Sequence, residues 1–247
     1  AEYIREAKPY AVTFAFEALD EFEYVINLIC DFVGSIHLCA KHNKVFDFSP
    51  LEKCTELDAI MMYWNTKQAT LWDVKKNTKL RSFEMTDYYS ISDMSVFRGS
   101  SVEMLRFFGC NSCSSFVSRM HVDDFSFVLD MPKLTELRFD IVKDEPSEYY
   151  LDILSKLQGL KIFYTPDSFF TFQQFAWLKA KLPNVEKGLD CVFTGSACDG
   201  AFYSIIGRRT PKSLHDATKA EKYQNRYDAL VAKYQTRENP PSDDEKD

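Results

Sequence analysis

The chain has 247 residues, of which 45% are hydrophobic and 15% aromatic, so it can bury a sizeable core. Its formal net charge of −7 argues against a general affinity for nucleic acid, because phosphate binding requires clustered Lys and Arg. The sequence contains no run of about 18 apolar residues, so we expect neither a transmembrane helix nor a membrane partner.

The cysteine content and the first residues bear on the cellular compartment. Seven Cys without a framework spacing are typical of reduced thiols in the cytosol rather than of a secreted disulfide scaffold. The start at Ala1 shows neither the basic nor the apolar region of a signal peptide, although a trimmed N-terminus would also begin this way. We therefore expect a cytoplasmic protein.

At the N-terminal end, residues 1–32 predict a strand followed by a capping helix. The strand contains the spaced apolar residues Ala11, Phe14 and Phe16. A helix is expected over residues 17–32 because apolar residues recur there every three or four positions. The residues expected to face inward are Leu19, Phe22, Ile26, Ile29 and Phe32.

From residue 33 onward the pattern of the first strand returns at a nearly constant interval. Each copy has an apolar residue, a second one three positions later, and a third apolar or small residue two positions after that. Eight copies start at intervals of 22, 24, 23, 22, 32, 26 and 25 residues, a period typical of a stacked solenoid. The copies after the first are Val33–Ile36–Leu38, Leu57–Ile60–Met62, Leu80–Phe83–Met85, Val102–Leu105–Phe107, Leu134–Leu137–Phe139, Leu160–Phe163–Thr165 and Val185–Gly188–Asp190.

The segments between these copies carry apolar residues at every third or fourth position. This spacing predicts short α or 3₁₀ segments with one apolar face turned toward the core. Two such series are Phe48, Leu51, Cys54, Leu57 and Leu151, Leu154, Leu157, Leu160.

One unit of the pattern consists of a strand, a loop, a short helical segment and a tight return loop. In this order of elements the chain resembles the leucine-rich repeat family from about residue 10 to residue 190. Asn65 and Cys110 stand three residues after the third apolar position, where that family places an Asn or Cys that bonds to the backbone of the turn. The resemblance implies an α/β fold, with a curved right-handed solenoid that has a parallel β-sheet on its concave face and short helices on its convex face. The repeats and an irregular C-terminal cap are expected over residues 33–206.

After the repeats the pattern changes twice. Residues 207–237 predict a basic linker and a C-terminal helix, whose Tyr223, Tyr227 and Tyr234 fall on one face. An isolated helix of this length is marginal in water, so we expect it to pack near the last repeats as a cap. Residues 238–247 are acidic and lack large apolar side chains, and we expect them to be disordered.

Few residues are candidates for chemistry. Cys110 and Cys113 form a CxxC pair, but a zinc site needs two further ligands, and Cys110 is accounted for as a turn residue. Cys191 and Cys198 flank a glycine-containing turn and could pair under oxidation, while a reduced pair fits the cytosol better. No nucleophile, phosphate-binding or dinucleotide-binding motif is present, so we expect no catalysis, no metal and no cofactor.

The working surface that the repeat predicts is the concave face of the sheet. Side chains alternate along a strand, so the residue between the second and third apolar positions of each copy points away from the core, as do the residues two positions to either side. Exposed aromatic, Met and Arg side chains are enriched at protein-binding hot spots. The residues predicted to bind a protein partner are Met61, Tyr63, Glu84, Met104, Arg106, Phe108, Arg138 and Tyr164.

The sequence therefore predicts a monomeric, non-catalytic interaction module that binds a protein partner of unknown identity. One alternative is a scaffold or regulatory subunit that meets its partner through the Tyr-faced C-terminal helix. A minor alternative is thiol chemistry at Cys110 and Cys113.

Overall fold

The computed structural model of the chain describes residues 2–40, 43–109, 119–197, 200–207 and 216–245. The chain divides into two compact units, Ala1–Val142 and Lys143–Asp247. Both units combine helices with strands, which confirms the predicted α/β class. The boundary lies inside the segment that the repeat pattern assigns to one array.

Six strands of the first unit form a sheet in which each strand pairs in parallel with the next one along the chain. This arrangement confirms the predicted parallel sheet, with one strand for each of the first six copies of the pattern. The strands are β1 (Ala11–Phe16), β2 (Ser35–Ala40), β3 (Ala59–Tyr63), β4 (Ser82–Thr86), β5 (Met104–Phe108) and β6 (Glu136–Phe139).

The pairing register confirms the repeat positions in five copies and corrects the first. The second apolar positions lie directly opposite one another in the order Ile36, Ile60, Phe83, Leu105 and Leu137. In β1, Val12 and not Phe14 pairs with Ile36, so the predicted alignment was wrong by two residues. Phe14, which that alignment would place at a core position, is only half-buried.

A hydrogen-bond arrangement recurs in this register where the strands begin. The carbonyl of Tyr10 accepts from the amides of Gly34 and Ser35, both at 2.9 Å. Each pair of bonds joins one repeat to the start of the next strand. The same double acceptance recurs at the carbonyls of Gly34, Asp58, Arg81 and Glu103.

The core of the first unit lies between one face of the sheet and the connecting segments. The predicted short helical segments are confirmed as 3₁₀ helices. Ring centroids are 4.8 Å apart between Phe83 and Phe97, and 5.1 Å apart between Phe125 and Phe139. These contacts join strand residues to 3₁₀ residues. The 3₁₀ helices are Ser49–Lys53, Val74–Lys76, Ser95–Phe97 and Phe125–Asp130.

The N-terminal helices differ in part from the prediction. Helix α1 (Glu2–Ala7) was not predicted, and the expected capping helix is α2 (Leu19–Ile29). In α2, Phe22 packs 4.9 Å from Phe16 between ring centroids and is fully buried. Leu19, predicted to face inward, is 41% exposed. It is the first residue of the helix and lies beyond the turn that packs on the sheet. Phe32 lies past the end of α2 and is only half-buried.

The second unit begins with the remaining copies of the pattern and ends in a helical pair. The eighth copy is reduced to an isolated parallel bridge between Lys187 and Ile162. Gly188 follows with a φ of +96°, and a Cβ there would lie 1.5 Å from the carbonyl oxygen of Phe163, so this position requires glycine. The elements of this unit are α3 (Ser147–Leu154), β7 (Ile162–Tyr164), α4 (Phe172–Lys181), β8 (Val192–Ala197), β9 (Gly200–Ile205) and α5 (Ala217–Tyr234).

The C-terminal helix packs inside the second unit, as its apolar face predicts. Helix α5 lies against α4, and it buries Tyr227 and Tyr234. The hydroxyl of Tyr227 donates to the carbonyl of Leu189 at 3.0 Å, which places the helix beside the segment that it was expected to cap. Residues 238–245, expected to be disordered, instead lie against α3 and α4 through polar contacts.

We predict that replacing Leu105 by Ala lowers the free energy of unfolding by about 2–5 kcal/mol, because this fully buried side chain leaves a cavity in the core. The matched control is Leu129→Ala, since Leu129 lies in a 3₁₀ helix and is 40% exposed. It should cost less than about 1 kcal/mol. Urea denaturation of both variants measures the difference, and equal losses would contradict the register of β5.

Candidate functional site

The face of the six-stranded sheet opposite the 3₁₀ helices, here called the open face, carries the predicted binding residues of the first unit. One row of directly paired residues crosses it. The five members from β2 to β6 are all half-buried, so each keeps part of its side chain in water. The row consists of Thr13, His37, Met61, Glu84, Arg106 and Arg138.

The part of the open face on β2 and β3 is aromatic and apolar. The rings of His37 and Tyr63 meet edge to face with centroids 5.2 Å apart. The Nε2 atom of His37 is buried and has no hydrogen-bond partner among the described residues. Thr86 of β4 pairs with Tyr63 of β3 on one side and with Phe108 of β5 on the other. Phe108 is half-buried. We call Met61, Tyr63 and Phe108 the apolar patch.

The part of the open face on β4 to β6 is an ion network centred on Glu136. Arg106 Nε donates to Glu136 Oε1 at 2.6 Å, and Arg106 Nη1 donates to Glu84 Oε2 at 3.3 Å. Arg138 Nε donates to the same oxygen of Glu136 at 2.5 Å. The two arginines predicted as hot spots therefore neutralise carboxylates of their own chain.

The network keeps Glu136 ionised. Burial raises the pKa of the Glu136 carboxyl, but the hydrogen bonds and charges of Arg106 and Arg138 outweigh burial, and the net shift is below the ordinary value of 4.5. The hydrogen bond to Glu136 also raises the pKa of Arg106. At neutral pH the carboxylate thus accepts hydrogen bonds and has no proton to donate.

Glu136, the centre of the ion network, was missing from the predicted set. It stands two residues before Arg138, so the alternation of side chains already places both on one face. Its contact with Arg106 depends on the register between β5 and β6, in which Met104 pairs with Glu136. Met104, which was in the predicted set, is half-buried beside it.

The remaining predicted residues lie elsewhere. Tyr164 is half-buried in β7 of the second unit. Cys110, Cys113 and Cys198 lie outside the described residues, as does the centre of the basic linker. Cys191 is fully buried, and burial, with a smaller effect of the Asp228 charge, raises the pKa of its thiol to about 12.

The alternative surface on the C-terminal helix is largely used within the chain. Tyr227 and Tyr234 are buried, and the ring of Phe172 lies 5.4 Å from that of Tyr227 between centroids. Tyr223 is half-buried on the same face, 6.4 Å from Phe172. The Tyr face is thus a packing surface of the second unit.

Two further properties of the described ranges bear on function. No helix among them is both long and apolar enough to cross a bilayer. Within the same ranges, no three or more His, Cys, Asp or Glu side chains come together in a way that could hold a metal ion.

Comparison with known proteins gives no assignment. No protein-family model matches the sequence, and no curated protein shows significant similarity to it.

We predict that Glu136→Gln lowers the free energy of unfolding by about 1–3 kcal/mol at neutral pH, because a charged acceptor of two arginines is lost. Since the folded-state pKa of Glu136 is depressed, its contribution is complete above pH 4.5 and disappears as the pH falls through the folded-state value. Urea denaturation as a function of pH measures the gap between wild type and variant.

The matched control for this prediction is Glu56→Gln. Glu56 pairs with Lys79 at 2.6 Å, but their side chains are 45% and 58% exposed. This change should cost less than about 1 kcal/mol. A gap for Glu136→Gln that persists undiminished at pH 2–3 would contradict the assigned role of its charge.

Proposed function

We propose that the chain is a non-catalytic leucine-rich repeat module whose first unit binds a protein partner on the open face, the concave face of the solenoid. The observation that carries the proposal is the apolar patch. Its three side chains are half-buried on the face that the core does not use. Covering them with a partner would remove apolar surface from water, at about 25 cal/mol per Å².

The repeat class is supported by how the strands follow one another. Each of the first six copies of the pattern supplies one strand, and successive strands are neighbours in parallel order. Asn65 also makes the bonds expected of the turn residue of this family. Its Nδ2 donates to the carbonyl of Lys44 at 2.8 Å, and its Oδ1 accepts from the amides of Lys67 and Gln68, both at 2.9 Å.

The open face is suited to binding because its backbone is held in place. Every strand from β2 to β5 pairs with a neighbour on both sides. Binding of a partner would therefore cost little conformational entropy in the backbone of this face. The apolar patch lies next to paired charges, and an apolar centre beside polar groups is the usual composition of a protein interface. The partner surface that fits is therefore apolar in the centre and polar around it.

The ion network argues for binding rather than chemistry. A general acid or base works best with a pKa near the operating pH, and the pKa of Glu136 is shifted away from it. Arg106 and Arg138 already donate to this carboxylate. Both arginines are therefore already engaged within the chain, which disfavours a role for them in binding a substrate anion.

We predict that the double change Met61→Glu and Phe108→Glu abolishes capture of the partner. The added carboxylates would have to be buried in the interface without a cation, which is costly. The measurement is quantitative mass spectrometry of proteins captured by the immobilised chain from an extract of its native source. A protein retained by wild type should be reduced at least tenfold with the double variant.

The control is Leu129→Glu, which adds a carboxylate at an exposed position on the 3₁₀ side of the first unit. It should capture the same protein as wild type, and thermal melting followed by circular dichroism checks that all variants are folded. Loss of capture with the control, or no loss with the double variant, would contradict the proposal.

A further inference from the structure

The second unit contains a polar pocket that is filled by the C-terminal tail, residues 238–245. Three donors converge on one oxygen of Asp243. Its Oδ1 accepts from Ser147 Oγ at 2.6 Å, from Gln174 Nε2 at 3.1 Å and from Lys143 Nζ at 3.3 Å. We call Lys143, Ser147 and Gln174 the tail-binding pocket.

The pocket is built by the core of the unit and not by the tail. With the tail in place, Ser147 and Gln174 have no exposed surface, and both belong to helices of the unit, α3 and α4. Gln174 belongs to the capping box of α4, where its Oε1 accepts from the amide of Thr171 at 2.9 Å. This bond leaves the Nε2 atom directed at the tail. Lys143 is held in addition by the carbonyl of Phe169 at 3.2 Å.

The tail itself is held mainly by polar contacts. Of residues 238–245, all of which are described, only Pro241 is buried. Its carbonyl accepts from Gln174 Nε2 at 3.0 Å. The last contact is a two-bond ion pair of Glu245 with Arg237, at 2.6 and 2.7 Å, and these two side chains keep 28% and 33% of their surface exposed.

The chemistry of the pocket calls for a carboxylate. Both acceptors of Gln174 Nε2, the carbonyl of Pro241 and the carboxylate of Asp243, belong to the tail, so departure of the tail would leave this donor to water. An ionised acceptor beside Lys143 restores these bonds in their strongest form. A cavity of about 220 Å³ borders Asp243 and Lys143 and leaves room for a larger acidic segment than the tail.

We propose that the tail-binding pocket is a recognition site for an acidic segment of a partner protein, and that the chain's own tail occupies it as a tethered competitor. The segment would carry an Asp two residues after a Pro, as Asp243 follows Pro241. A tethered ligand acts at an effective concentration on the order of millimolar, so the partner segment competes with the tail. The site lies in the second unit and does not depend on the role proposed for the open face.

The test uses the full chain and a fluorescently labelled peptide with the sequence of residues 239–245, followed by fluorescence anisotropy. Asp243→Asn removes the charge that holds the tail, and the change is nearly isosteric. This variant should bind the peptide about tenfold or more tightly than wild type. The matched control, Asp244→Asn, removes the same charge one residue later and should bind like wild type. A peptide with Asn in place of its own Asp243 should bind the Asp243→Asn chain at least tenfold more weakly.

Equal affinity of the two variants for the peptide, or equal affinity of the two peptides for the Asp243→Asn chain, would overturn the proposal. A second measurement uses the unaltered protein. Amide hydrogen exchange in residues 239–245 should accelerate when unlabelled peptide is added at millimolar concentration, because the tail is displaced. Exchange that stays unchanged at that concentration would also overturn it.

Discussion

The first unit depends on a single repeated bond arrangement, in which one carbonyl accepts two amides from the following repeat. The carbonyl of Asp58, for example, accepts from Arg81 at 2.8 Å and from Ser82 at 3.0 Å. A slip of one residue would move every core side chain of a strand to the open face. The apolar spacing of each copy disfavours that slip, and the double acceptor joins the strands in the register that places the core, the apolar patch and the ion network.

Most of this sheet could be predicted because each strand is marked by the apolar spacing within its own short segment of sequence. Each copy contains its own apolar spacing, so Phe83, Leu105 and Leu137 identify their strands without reference to any other part of the chain. The first copy failed for a physical reason. Side chains alternate with a period of two, so a shift by two residues keeps the same face. In residues 11–16 five of the six residues are apolar, and the spacing cannot distinguish Val12 from Phe14.

The contacts that define the candidate surfaces join residues that are far apart in the sequence. Composition and spacing therefore could not predict them. The bond from Arg106 to Glu136 joins residues 30 positions apart, across the longest gap between copies. The tail has the composition of a disordered segment because it has little apolar surface to bury. Composition cannot show that Gln174, 69 positions away in the sequence, donates a hydrogen bond to Asp243 of the tail. Hydrogen-bond donors fixed by the fold can order a segment whose own sequence gives no sign of order.

The two surfaces select for different chemistry because their polar groups are satisfied in different ways. On the open face, Arg106, Arg138 and Glu136 satisfy one another, so a charged partner would have to break these bonds before it gained any. Affinity there must come from Met61, Tyr63 and their apolar neighbours. In the tail-binding pocket, by contrast, three donors converge on a single carboxylate oxygen, that of Asp243. On the two proposals, a partner of the first unit would be recognised by apolar shape, whereas a ligand of the second unit would be recognised by its negative charge.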